Sequence, residues 1–536
     1  MKTGEKFLKF LSKTVAPYGK YLLLIIIPCV LSVLYVVSSH ARGPYYLGPN
    51  SDPEYAYLLN SLRIAELRAP SHIHHPGTTL QMIGAGMIKL INLGKNDDDM
   101  VKEVVSHPEK YLNYISVVLV CLLVAVEMFV GFVAFKNSNN IAMALILQLT
   151  PLMSTPPLQE LYRVRPDNLL IPVSLLFSLL AFLTLCHPFN KANTAKYIYS
   201  FAIVSGFAMV TKIIFFPLLI IPLVIIPRFF NKFKFILFAF LAFVIFSVPI
   251  IPQYPALLKW VLKLYSHSDL YGLGENRIIN PKTFFGNISS IITGEWIMTI
   301  VLIVIVIIAG RMVVGWVRKK KMDYDERCDL PFAIGLALIS QILMVSKHMS
   351  FHYLIPGLML MGLAVIVVIP LLAEHLSLKM INVTLLVLIV SFALAVNIRD
   401  FQKVIENLNA IRLEHVKLLS FTADLPKDAR RISYYGNSSQ AYALSFGNNF
   451  SDRIFSPILK NIYPNEIFYS IWEKQFSDFE KKISVESVMQ SQNPTYFQGI
   501  SFNRSGYKGV YKPSLNLVDI YNGKGETVYR LEGHGF

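Results

Sequence analysis

Long uninterrupted apolar runs dominate this chain, and they limit its folds more than any other feature. About eleven stretches reach the roughly 17 to 25 residues that cross a hydrocarbon layer about 30 Å thick. They lie near 21–40, 112–135, 139–157, 169–186, 197–213, 214–230, 235–252, 296–317, 330–346, 353–373 and 380–397. In lipid the backbone must satisfy its own hydrogen bonds, so such runs predict helices. The stretch from 197 to 230 is divided at Thr211-Lys212, because a charge at mid-membrane is costly. Residues are 54% hydrophobic and only 16% charged, which excludes an ordinary soluble enzyme.

The formal charge of +16 would suggest a polyanionic partner in a soluble protein. Counted by segment, about +12 of it falls on alternate connections, those facing the cytoplasm if the N-terminus is inside. Lys2, Lys6, Lys9, Lys13 and Lys20 begin the series, and Arg228, Lys232 and Lys234 continue it. The excess is a topology signal, and no nucleic-acid partner is expected. An odd number of crossings places the C-terminus outside, in what reads as a bacterial cytoplasmic (inner) membrane protein with a retained first helix. Cys29, Cys121, Cys186 and Cys328 all fall away from the outer segments, which leaves those segments no disulfide framework.

The expected architecture is an α-helical polytopic membrane domain over 1–397, with long outer connections at 41–111 and 253–295. Residues 398–536 have soluble-like charge usage and predict a small extracytoplasmic α/β or α+β domain. Arg431–Tyr435 reads as a strand, Ser438–Phe446 as a short helix, and Leu515–Tyr521 with Thr527–Leu531 as a hairpin. In the first outer connection, Glu54–Ala69 sets Tyr55, Leu58, Leu59 and Leu62 on one face, predicting a helix lying on the membrane surface. Thr78–Asn92 predicts a second, more apolar helix.

Five polar clusters interrupt this apolar sequence. Ser51-Asp52-Pro53-Glu54 offers two carboxylates at a helix start, one to take a proton and one to orient it, although the same residues fit plain capping. His72, His74 and His75 precede Pro76-Gly77 and suit a phosphate when protonated; their spacing does not support zinc, and no metal site is expected. Arg163 and Arg165, between Glu160 and Asp167, suit bidentate phosphate capture or a snorkelling ion-paired turn. Lys212 has no acidic residue within twenty positions, so its charge must find water or an anion. Lys347, His348, His352 and Tyr353 form the last outer cluster. Glu127 falls inside the second helix, where Gln148 or Arg311 would be its structural partner. Four of the five polar clusters fall on one side of the membrane, each at the outer end of a different apolar helix, which suits an amphiphilic substrate with a phosphate headgroup.

At these residues the chain resembles the GT-C superfamily of membrane glycosyltransferases, which includes protein O-mannosyltransferases and the lipid A aminoarabinose transferase. The likeness lies in Asp52-Pro-Glu54, the aromatic helix with Tyr55, His75-Pro76-Gly77, Arg163-Val-Arg165-Pro-Asp167, the segment Gly206 to Lys212, and His352-Tyr353-Leu-Ile-Pro356. An Asp-x-Glu stands where the family has adjacent acids, and His-Pro-Gly replaces the commoner His-Pro-Pro.

The resemblance implies transfer of a sugar from a polyprenyl-phosphate carrier to a lipid, glycan or protein acceptor at the outer face. It implies Asp52 as general base, Glu54 assisting, and Asp167 as a second acid. Arg163, Arg165, Lys212 and His75 would bind the donor phosphate, and Tyr55, His74, His352 and Tyr353 would line the substrate. No cofactor is implied firmly, although the oligosaccharyltransferase branch uses a divalent cation. A transporter or flippase would instead place polar breaks near the midplane. An O-antigen polymerase or ligase would concentrate its chemistry in a late loop.

Overall fold

The computed structural model describes residues 16–47, 54–268, 274–319, 326–375, 382–426, 428–434, 439–470, 474–490, 493–500, 515–523 and 526–532. Asp52 therefore lies outside the described residues, as do Tyr435 and Gly436 at the end of the expected strand. The chain packs as two compact units. One comprises residues 1–35, 74–79 and 118–401, and the other 36–73, 80–117 and 402–536.

Among the described residues, six helices are long and apolar enough to cross a membrane: Tyr21–Arg42, Pro108–Ser138, Pro166–Cys186, Phe229–Phe246, Trp296–Val313 and Asp329–Lys347. A seventh crossing forms if Phe351–Leu358 and Met361–Leu372, bent by 54°, count as one. The protein is an integral membrane protein.

Several of the eleven expected runs are not simple spans, and proline is the reason. The 139–157 run breaks into a helix at Ile141–Gln148, a 3-10 turn at Thr150–Met153 and a short helix at Thr155–Glu160, around Pro151, Pro156 and Pro157. The 214–230 run becomes a 3-10 segment, Ile213–Leu219, and a six-residue helix, Ile220–Ile225, interrupted by Pro217 and ended before Pro227. Between them, Thr194–Thr211 is a clean helix that stops at Lys212.

The first-loop helix spans Glu54–Ala65, and it does not lie on a surface: every residue but Ile64 is buried. Its polar face is satisfied inside its own unit. The Asn60 amide donates to the Phe450 carbonyl at 2.9 Å, and Arg63 pairs with Asp452 at 2.6 Å. Gly447 is needed where the helix Gln440–Asn449 crosses the first-loop helix, because a side chain there would meet the Tyr55 backbone at 2.9 Å.

Among the described residues, the C-terminal part of that unit carries a seven-stranded mixed sheet in the order β4-β3-β2-β1-β5-β7-β6. The strands are β1 Arg430–Tyr434, β2 Ile467–Ser470, β3 Gln475–Ser477, β4 Lys482–Ile483, β5 Thr495–Ile500, β6 Leu517–Asn522 and β7 Glu526–Leu531. Central β1 runs parallel to β2 and β5, and the remaining pairs are antiparallel. Ile432, Tyr434, Tyr469, Phe476 and Phe497 fill one face. Leu418, at the end of the 42-residue helix Asn382–Ala423, packs with Tyr496 and Val528 on the other.

Candidate active site

In the membrane unit, two distant segments meet in a two-strand contact that builds the site. Pro76 bridges antiparallel to Lys212; the Gly77 N–H donates to the Thr211 carbonyl at 3.1 Å and the Ile213 N–H to the His75 carbonyl at 2.8 Å. The Thr79 and Thr211 hydroxyls add a 2.7 Å bond. His75 sits at φ +91° and Gly77 at φ +70°. The left-handed conformation costs a histidine energy, and it persists where surrounding bonds over-determine it, as these do.

The helix ending at Thr211 hands Lys212 an extended backbone, φ −161°. Its side chain is fully buried. The Nζ donates to Asp167 Oδ2 at 2.6 Å and lies 4.5 Å from the centre of the Tyr353 ring. Asp167 is equally buried, in the first turn of Pro166–Cys186, where free N–H groups favour a carboxylate. Pro166 starts that helix, and the Asn168 amide fastens the preceding turn by donating to the Leu161 and Arg163 carbonyls. Arg165 and Glu160 stand 3.8 Å apart, both buried. Burial pushes the Glu160 carboxyl up, and Arg165 pulls it back. Arg163 is half-buried.

Aromatic edges complete the wall. The His75 ring is 5.3 Å from Trp260 and 5.9 Å from Tyr353, and His74 is 5.5 Å from Trp260. The His352 ring packs 4.4 Å from Tyr353, and its Nδ1 is 2.8 Å from the Ser350 hydroxyl. A cavity of about 630 Å³ opens here, with His75, Lys212, Lys347, His348 and Tyr353 among its polar lining and Ile213, Phe216, Val261, Ile279, Phe284 and Leu343 among its apolar lining. Lys347 donates to the Tyr265 carbonyl at its rim.

The structure thus gathers Asp167, Lys212, Arg165, His74, His75, His352 and Tyr353 within one unit. Glu54 and Tyr55 belong to the other unit, both buried. Among the described residues, no cluster of three His, Cys, Asp or Glu side chains is arranged to hold a metal ion. Glu127 is fully buried, and neither expected partner meets its carboxyl. The Gln148 amide donates to the Glu127 backbone carbonyl at 2.8 Å, and Arg311 is exposed.

Glu295 carried no motif, since a lone carboxylate ahead of an apolar run reads as an interfacial charge. It is buried, accepts the Ser154 hydroxyl at 2.7 Å, and burial pushes its carboxyl up to about 7. The folded protein therefore holds the proton more tightly than the unfolded chain. Stability is full below about pH 4.5 and falls as pH rises towards 7, by up to about 3 kcal/mol. Glu295→Gln keeps an acceptor for Ser154 without the buried charge. Its melting temperature in detergent should exceed that of the wild type at pH 8 and match it at pH 5; parallel curves across that range would rule out buried ionisation.

No protein-family model and no curated protein sequence matches the chain. Solved structures do. ArnT from Cupriavidus metallidurans in the apo state aligns with a TM-score of 0.50 at 11% identity, over 96% of this chain and 98% of that one. The same protein bound to undecaprenyl phosphate gives 0.47 at 11% identity and the same coverage. The archaeal oligosaccharyltransferase AglB from Archaeoglobus fulgidus, in complex with an inhibitory peptide and a dolichol-phosphate, gives 0.39 at 12% identity over 80% and 60%. The mostly helical membrane region, the C-terminal sheet and the alignment to apo ArnT over nearly the whole of both chains agree: the chain has the fold of that structure.

Proposed function

We propose that the protein transfers a sugar from a polyprenyl-phosphate carrier to a hydroxyl or amine acceptor at the extracytoplasmic face of the membrane. One observation carries this reading: a fully buried lysine, Lys212, lines an apolar cavity together with two histidines, a second lysine and two tyrosines. An apolar cavity with cations in its wall matches an isoprenoid chain that ends in a phosphate. ArnT, which shares this fold, is known bound to undecaprenyl phosphate.

The chemistry asks little beyond a base and a stabilised leaving group. Asp52, proposed from the acidic motif, takes the acceptor's proton, with Glu54 assisting. The acceptor oxygen or nitrogen forms a bond to the anomeric carbon as the bond from that carbon to the phosphate oxygen breaks. The electron pair leaves on the phosphate, which Lys212, Arg163, Arg165 and His75 stabilise electrostatically in a dry site. Asp167 holds Lys212 in place through their 2.6 Å bond. His74, His352, Tyr353 and Tyr55 shape the substrate surfaces.

Mass spectrometry of lipids, surface glycans and glycoproteins from cells with and without the gene tests the reading. A glycan or modified lipid lost with the gene, together with accumulated polyprenyl-phosphate sugar, is the expected result. Unchanged donor and product pools would sink it.

A further inference from the structure

The helix Tyr254–Ser266 belongs to the membrane unit but is too short to cross a membrane. Its 13 residues, at about 1.5 Å each, reach roughly 20 Å, against a hydrocarbon layer about 30 Å thick. Only Leu257 and Trp260 are buried in it. The Trp260 ring packs 5.5 Å from His74 and 5.3 Å from His75, so this face is the one turned to the protein.

The rest of the helix suits no single solvent. Leu258, Leu262 and Tyr265 form an apolar ridge that is 60%, 59% and 68% exposed. Lys259 and Lys263 each follow a ridge leucine by one position and form a second exposed stripe about 100° further round. Residues 254–266 contain no acid. Among the described residues neither lysine pairs with a carboxylate, whereas Lys212, Arg165 and Arg277 of the same unit each do. In water the ridge would leave three large apolar side chains wet, and in hydrocarbon the lysines would be stranded. The boundary between the two satisfies both stripes, with the ridge among acyl chains and the lysines at the level of the phosphates. The nearby segment 278–285 repeats the pattern, with Ile278, Phe285 and Lys282 all exposed.

We propose that Tyr254–Ser266 lies in the membrane surface and that Lys259 and Lys263 bind the phosphates of anionic phospholipid headgroups there. A zwitterionic headgroup carries an ammonium beside its phosphate. An anionic headgroup leaves the phosphate unmatched, so two unpaired lysines favour it, by about fivefold each. The same helix walls the site cavity through Val261, Leu264 and Tyr265, so this contact sets the depth at which the cavity meets the bilayer.

The test places the full-length protein in nanodiscs of phosphatidylcholine, with or without about 30% phosphatidylglycerol, and takes two readouts. Acetylation of Lys259 and Lys263 by acetic anhydride, followed by mass spectrometry, should slow about fivefold when phosphatidylglycerol is present, while Lys482, exposed in β4, stays within about twofold. Inorganic phosphate at about 10 mM over pure phosphatidylcholine should leave both rates unchanged; equal slowing would reveal a site for free anions and overturn the membrane contact. In the second readout, Leu262→benzoylphenylalanine should photo-cross-link to lipid, and to phosphatidylglycerol about tenfold above its share of the disc. Adding Lys259→Gln and Lys263→Gln should return that ratio to the bulk share with the melting temperature unchanged, since both lysines are exposed. Cross-links at the bulk ratio in the presence of both lysines, or a ratio that survives their loss, overturn headgroup binding. Cross-links to a protein, or none to lipid, overturn the placement of the helix in the membrane surface.

Discussion

Asp52→Asn should reduce sugar transfer by about 10³-fold or more while leaving the protein folded and able to bind its lipid donor. A positioned base contributes roughly 10² to 10⁴ to the rate of a proton transfer. Asparagine keeps the size and the hydrogen-bonding shape of aspartate and removes only its ability to accept the acceptor's proton. The loss should therefore fall on kcat, and raising the donor concentration should not recover it. Single-turnover transfer with purified protein, beside a melting curve and a polyprenyl-phosphate binding isotherm, separates the outcomes. Turnover within tenfold of wild type would remove Asp52 from the base role. Normal turnover in Asp52→Asn with a large loss in Glu54→Gln would pass that role to Glu54.

Loss of Lys212 should be nearly as damaging, through the donor. Lys212→Ala should raise the apparent KM for the polyprenyl-phosphate sugar and lower kcat, with a combined loss of about 10² to 10³, the usual scale for one preorganised charge on a leaving group. The single variant also leaves Asp167 buried without its partner, and breaking a buried pair costs about 3 to 5 kcal/mol. Lys212→Met combined with Asp167→Asn removes both charges at similar volume and should restore the melting temperature without restoring transfer. Recovery of activity with stability would show that Lys212 served folding alone. An unchanged donor KM in a stable variant would shift the phosphate role to Arg163 and Arg165.

The membrane class, the break at Lys212 and the terminal sheet were legible because each rests on local pattern. Hydropathy marks the spans, a charge ends a helix within lipid, and strand alternation with Asn522-Gly523 marks the hairpin. Where the apolar runs break was not legible, because a window average runs through prolines such as Pro151 and Pro217 while a regular helix does not. The first-loop helix misled for a different reason. Its polar face looked wet, yet Asn60 and Arg63 are answered by Phe450 and Asp452, nearly four hundred residues later. Lys212 was marked as a charge in need of a partner; that partner, Asp167, lies 45 positions back on another helix, beyond any spacing rule. The pairing of Pro76 with Lys212 spans one bridge, too short to leave a strand signature.

The ion pairs in the site wall have a consequence for how the donor arrives. Glu160 offsets Arg165 and Asp167 offsets Lys212, so these four buried groups sum to zero even though the whole chain carries +16. These two pairs project little field into solution and act on an anion only at contact range. Donor KM should therefore change less than about twofold between 50 and 500 mM salt, a range over which attraction to a bare basic patch is strongly screened. The lipid would be concentrated by the membrane, sliding in within the bilayer plane, and electrostatics would act only once its headgroup had reached the wall.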